Sequence, residues 1–200
     1  FIYMDVLKKK LFDSIKENIN LKKKLITLDK KVNQSVQLIY KTFENENKIL
    51  ICGNGGSAAD AQHLSAEYLV RLRPKINRKP LPVISLALDT STITACGNDY
   101  SFDKLFSRNF EALAKNGDLL ICISTSGNSK NILNVLKAAK KKKIQSISFL
   151  GNGGGEAKKL STLNIIVPNS NTARIQEAHI FLGHFIFETV EDLMIKKRLI

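Results

Sequence analysis

Long apolar runs are missing from this chain of 200 residues. No stretch approaches the roughly 20 residues a bilayer-crossing helix needs, so no membrane partner is expected. Cysteine is scarce: Cys52, Cys96 and Cys122 are far apart, odd in number and without a CxxC pair. That spacing argues against a zinc knuckle or a dithiol redox centre, and the three read as small buried hydrophobes in a reducing compartment. Nothing in the chain repeats, and no Pro/Gly/Ser-rich linker divides it, so one domain over residues 1–200 is the expectation. The opening residues, FIYMDVLKKKLFDSIKENIN, lack the n-region, apolar h-region and small-residue cleavage site of a secretory signal. A cytoplasmic location is expected, and because Phe1 is not an initiator, Met4 is a candidate start.

Acidic residues are also few, 18 against 31 basic ones, for a net charge of +13. Such a balance favours an anionic partner, either nucleic acid or a charged small molecule. The basic residues are 25 lysines but only six arginines, many in runs such as Lys8–Lys10, Lys22–Lys24 and Lys140–Lys143 between apolar helical positions. Lysine-rich solvated faces explain this better than a base-reading surface, which favours arginine and exposed aromatics, and no nucleic acid is expected as partner.

What is present is a regular order of elements. Residues 1–46 hold two helices, with Val6, Leu7, Leu11 and Ile15, then Leu25, Leu28, Val32, Val36, Ile39 and Phe43, at helical spacing and an expected bend or break near Asn18–Asn20. From residue 47 the period changes. Short apolar runs at 48–53, 81–88, 117–124, 144–151 and 162–168 suit strands covered on both faces. Between them lie helical patterns at 57–72, 90–97, 102–115, 129–142, near 155–160, and from about 172 to 196. Alternating strand and helix predicts a doubly wound, mainly parallel five-stranded α/β sheet flanked by helices. The leading helices either join that core or serve an oligomer interface.

In such a sheet ligands bind beyond the carboxyl ends of the strands, where this chain places GNGGSAADAQH and STSGNSKN. Ser124, Thr125, Ser126 and Ser129 put four hydroxyls beside a helix N-terminus whose backbone N–H groups point outward, a ready site for phosphate. A plain N-cap would use one of them. Gly53, Gly55 and Ala58 satisfy G-x-G-x-x-A, but the acidic residue a dinucleotide site wants about 20 positions on is missing, since Asp89 comes 36 residues after Gly53. No Gly-Lys-Ser/Thr follows either, so a Walker loop is excluded. The glycines instead let backbone approach a small polar ligand, with Asn54 and Ser57 donating or accepting hydrogen bonds. On the next helix His63 and Glu67 share a face one turn apart, as a metal or acid/base pair would. Asn98 and Asp99 lie in a Gly-Asn-Asp turn that suits sugar hydroxyls as well as ordinary turn chemistry.

The segments CGNGGSAADAQHLSAEYL, DTSTITACGNDYSFDKLFSR, GDLLICISTSGNSKNI and NTARIQEAHIFLGHFIFE, in this order and spacing, resemble the sedoheptulose 7-phosphate isomerases (phosphoheptose isomerases) of the sugar isomerase, or SIS, superfamily. The likeness covers nearly the whole chain. It implies a cytoplasmic homotetramer with active sites shared between subunits, converting D-sedoheptulose 7-phosphate to D-glycero-D-manno-heptose 7-phosphate for lipopolysaccharide core or capsule. By position it implies substrate binding by Asn54, Gly55, Gly56, Glu67, Asn98, Asp99, Ser124, Thr125, Ser126, Ser129 and Gln176. It further implies one zinc per subunit on His63, Glu67, Gln176 and His184, and Glu67 with His184 as the acid/base pair. A carboxylate and an imidazole on opposite sides of the sugar suit the enediol chemistry of aldose–ketose exchange. Two departures stand out: GNGGGE at 151–156 replaces the family's usual Lys-Asp-Gly-Gly segment, and Ala173 stands where some members carry aspartate. The alternatives are a non-catalytic SIS adaptor for a replication initiator, a class that lacks the final histidine, and an isomerase of another ketose phosphate.

At about 100° per residue His179 lies about 140° from His184, so the two belong to different sites and His179 reads as a supporting or interface residue. Gln176 and His184 are about 12 Å apart along the helix axis, so sharing one ion would need nearly full side-chain reach. A labile metal, or ligands from different subunits, is the expectation.

Overall fold

A computed structural model describes residues 2–87 and 89–200; Leu88, the end of the expected strand at 81–88, lies outside the described residues. Helix α1 (Ile2–Lys24) leads through a 3-10 turn at Leu25–Leu28 into α2 (Asp29–Glu44). The expected break at Asn18–Asn20 is not there. An asparagine costs a helix only a few tenths of a kcal/mol, and the Asn18 amide is held by the Glu177 carboxylate across the chain, so α1 continues for another turn. The doubly wound part follows as β1 (Ile49–Gly53), α3 (Gly56–Leu69), β2 (Val83–Ser85), α4 (Thr90–Asp99), α5 (Leu105–Leu113), β3 (Leu119–Ser124), α6 (Lys130–Lys141), β4 (Gln145–Leu150), β5 (Leu163–Ile166) and α7 (Thr172–Lys196). The expected helix at 102–115 splits into a 3-10 turn, Phe102–Lys104, and α5, while the pattern near 155–160 is a 3-10 turn at Ala157–Lys159.

The described strands form one parallel sheet in the order β2-β1-β3-β4-β5, with Ile49 opposite Leu119 and Gly53 opposite Ile123. Alternate residues serve two cores. Ile49, Ile51, Ile121 and Ile123 pack toward Val36 and Ile39 of α2, Leu64 and Tyr68 of α3, and Leu182 and Ile186 of α7. Leu50, Cys52, Leu120 and Cys122 pack toward Phe106 and Phe110 of α5 and Ile132, Val135 and Leu136 of α6. Burial on both faces is why these strands read as nearly unbroken apolar runs. All three cysteines are buried, as their apolar neighbours suggested. Among the described residues no helix is long and apolar enough to cross a membrane. The winding reverses between β1 and β3, and the crevice of a doubly wound sheet opens at that point.

Candidate active site

The two glycine-bearing loops leave β1 and β3 side by side at this reversal. Reciprocal hydrogen bonds of 2.9 Å between the side-chain amides of Asn54 and Asn131 tie them together. Asn131, buried in the first turn of α6, was missed in the sequence because an asparagine after a cap looks like ordinary helix-start chemistry. Asn54, Ser57, Ser124, Thr125, Ser126, Ser129 and Gln176 line a small polar cavity of about 60 Å³. The loop backbone turns the hydroxyls: Gly127 N–H donates to Ser124 Oγ (3.1 Å) and Asn128 N–H to Ser126 Oγ (3.2 Å). Ser129 is the N-cap of α6, yet its hydroxyl makes no capping hydrogen bond, which favours an anion over a plain cap there.

Close backbone approach explains two glycines. Gly127 has φ of +66°, and a Cβ there would sit 2.1 Å from the Gly154 carbonyl oxygen. The GNGGGE segment closes against the loop at this point, with Ala157 N–H donating to Gly127 O (2.9 Å) and Glu156 N–H to Asn128 Oδ1 (3.0 Å). A Cβ at Gly56 would meet Gln176 Nε2 at 2.7 Å, so α7 comes directly over the start of α3.

The two helices then run side by side in the same direction: Gln176 over Gly56, Gly183 against Leu64, His184 against His63, and Phe187 stacked on Tyr68. Two turns beyond the cavity they bring together residues 121 apart in the chain, His63 Nε2 and His184 Nε2 at 2.8 Å. The rings meet edge to face, and Glu67 Oε1 lies 3.2 Å from His63 Nε2. One ligand atom from each of the three lies within 4.8 Å of the others. Two imidazole nitrogens this close need a proton or a cation between them, and a two-imidazole, one-carboxylate donor set suits a borderline metal such as zinc. The trio therefore fits a metal, and it comes from a single chain. Gln176 is not with it: its amide lies over Gly56, about 12 Å along α7 from His184.

Comparison with known proteins fits this geometry. The SIS domain family matches residues 14–151. A phosphoheptose isomerase of Campylobacter concisus is 54% identical over 156 residues, covering 78% of this chain and 82% of its own. One from Helicobacter pylori is 49% identical over 171 residues, covering 86% and 88%. The chain belongs to the phosphoheptose isomerase family. Solved phosphoheptose isomerases share the fold: that of Neisseria gonorrhoeae superposes with a TM-score of 0.87 at 38% identity, covering 93% of this chain and 99% of its own. That of Francisella tularensis gives 0.88 at 31% identity, covering 92% and 97%.

Other residues of this phosphoheptose isomerase fold stand apart from the groove or were unforeseen. Asn98 and Asp99 end α4, exposed and hydrogen-bonded to each other (2.8 Å), and belong neither to the cavity lining nor to the His63–Glu67–His184 trio. Asp60, one turn before His63, was missed. Its half-buried carboxyl is held above the usual range by loss of hydration, opposed by the neighbouring His63 and His184 rings, and its Oδ2 has no hydrogen-bond partner among the described residues. Its signal in the sequence was only the helical spacing to His63. His179 is no interface residue in this chain: it is 1% exposed, with Nε2 3.1 Å from the Leu150 carbonyl. Burial drives its pKa down from 6.5 to about 4, against the pull of that carbonyl.

Proposed function

We propose that this chain interconverts D-sedoheptulose 7-phosphate and D-glycero-D-manno-heptose 7-phosphate. The observation that carries the reading is a match of length and chemistry along one groove. A hydroxyl-lined cavity at a helix N-terminus lies at one end and a titratable trio at the other, separated by the seven residues from Gly56 to His63, about 10 Å of helix. An extended seven-carbon chain with a terminal phosphate has about that reach. Support for its reaction comes from the similarity to named phosphoheptose isomerases over most of the chain.

In this account Ser124, Thr125, Ser126, Ser129 and the first N–H groups of α6 bind the phosphate, while Asn54, Ser57, Gln176 and the Gly55–Gly56 backbone orient the chain of hydroxyls. Asn98 and Asp99 reach hydroxyls only if a neighbouring subunit brings them. Glu67 and His184 share the proton traffic: one takes the proton from C1 and returns it to C2 of the enediol, and the other moves a proton between the two oxygens. His63 holds both in register. A zinc ion held by His63, Glu67 and His184 would supply Lewis-acid polarisation of the sugar oxygens. The product would feed activated heptose for lipopolysaccharide core or capsule in the cytoplasm.

A homotetramer is part of the same proposal. Met4, Val6, Leu7, Leu11, Phe12, Ile15 and Ile19 of α1 are exposed, and a groove of about 510 Å³ between α2 and α7 is flanked by exposed Phe181 and Phe185. Large apolar side chains exposed in this number favour an interface. The test is incubation of the purified protein with sedoheptulose 7-phosphate, with and without chelator. Appearance of the aldose phosphate is expected, reduced by chelation; no turnover, together with binding to a replication-initiator protein, would replace the enzyme by an adaptor.

A further inference from the structure

Behind the trio lies a buried ionic cluster that the chemistry leaves unused. Glu191 of α7 is 0% exposed and receives Arg78 Nε at Oε1 and Arg73 Nε at Oε2, each at 2.6 Å. Arg73 also donates through Nη2 to exposed Asp192 (2.6 Å). The Arg78 guanidinium is equally enclosed. Its Nη2 donates to the backbone carbonyl of Glu67 (2.9 Å) and its Nη1 to those of Tyr68 and Lys79 (3.0 Å each). It thereby satisfies carbonyls that the last turn of α3 leaves without helical partners, at the end where the helix dipole favours a cation. Tyr68 adds a second tie, its hydroxyl donating to the Phe187 carbonyl (2.7 Å) while its ring stacks on Phe187 at 4.1 Å.

We propose that Arg78 and Glu191 are positioning residues for the isomerase site, fixing α3 against α7 so that Glu67 and His63 meet His184. A chain of direct contacts supports this. Arg78 grips the backbone of Glu67 itself, and Glu191 lies seven residues beyond His184, about 20° from it around α7 and about 10 Å further along. The energetics point the same way. Burying a carboxylate and a guanidinium costs several kcal/mol that their attraction only roughly offsets, so stability alone is a poor reason to keep them. The price is matched by geometry: paired guanidinium forks fix direction as well as distance. The segment that delivers both arginines, residues 70–82, has neither helix nor strand, and loops of this length inside a compact fold are uncommon without a role.

The proposal rests on the isomerase reading, and its test keeps the two apart. In Glu191→Gln and Arg78→Lys, kcat for sedoheptulose 7-phosphate falls at least tenfold, KM stays within threefold, and zinc affinity measured by chelator competition falls at least tenfold. The double change Arg78→Met with Glu191→Leu regains thermal stability relative to the singles without regaining kcat. Leu120→Ala, in the opposite core, lowers Tm but leaves kcat unchanged. The proposal is overturned if the single variants lose Tm alone, or if kcat returns with Tm in the double variant. Should the unaltered protein turn over no sugar phosphate, the isomerase reading fails separately. The clamp is then judged by a crystal structure of Glu191→Gln, where widening of the His63–His184 approach supports it and an unchanged 2.8 Å approach overturns it.

Discussion

The two ends of the groove are made in different ways. At the strand ends the proposed phosphate site offers short uncharged side chains and backbone N–H groups, carried on loops whose hydrogen bonds are local: Gly127 to Ser124, Asn128 to Ser126. Two turns along lie titratable side chains from two helices, His63 and Glu67 on α3 and His184 on α7, which only tertiary packing brings together. The difference is one of task. A phosphate keeps its charge through the reaction and needs fixed dipoles, whereas a moving proton needs groups that change charge. Binding and chemistry should therefore fail separately when each end is altered.

The largest expected effect is at the titratable end. Glu67→Gln and His184→Ala each lower kcat by about 10³-fold, within the range for loss of a positioned proton-transfer group, while sugar-phosphate affinity by calorimetry changes less than tenfold. Equal losses in affinity would merge the two ends into one.

Next comes α7, the helix that spans both ends and is anchored between them by His179. The unfolded chain binds a proton at this histidine below pH 6.5, whereas the folded chain, with its pKa lowered to about 4 by burial, does not. Its contribution is fully present above pH 6.5 and is lost as pH falls through that window toward 4, by about 3 kcal/mol. Denaturant titrations from pH 7 to 4 should show that slope in the unaltered protein and a flatter one in His179→Gln, whose amide can still donate to Leu150.

The smallest effect is at the hydroxyl end. Ser126→Ala removes one hydrogen bond to a charged group, so KM rises about tenfold with kcat within twofold. A fall in kcat instead would show that phosphate grip and proton transfer are coupled.

The same contrast decided what could be read in advance. The alternation of apolar runs and helical patterns gave the parallel sheet because strands buried on both faces leave no polar alternation to confuse them. The hydroxyl cluster was visible because its members lie within six residues and a helix start needs only one of them. His63 with Glu67 was visible as an i, i+4 pair, but their meeting with His184 depends on α3 and α7 lying parallel, which no local pattern states. Asn131, Asp60 and the Arg78–Glu191 pair were hidden for that reason: each looks ordinary on its own element and acquires its partner across the fold. The break expected at Asn18 failed likewise, since the Asn18 amide is taken up by Glu177 of a distant helix.

The most direct test of a titratable end that moves protons, set against a hydroxyl end that holds phosphate, is isotope exchange. Sedoheptulose 7-phosphate incubated in D2O with the unaltered protein should yield the aldose phosphate carrying solvent deuterium at C2. Ser126→Ala at saturating substrate should do the same, and Glu67→Gln should incorporate it about 10³-fold more slowly while still binding the sugar. Undiminished deuterium incorporation by Glu67→Gln would contradict the assignment.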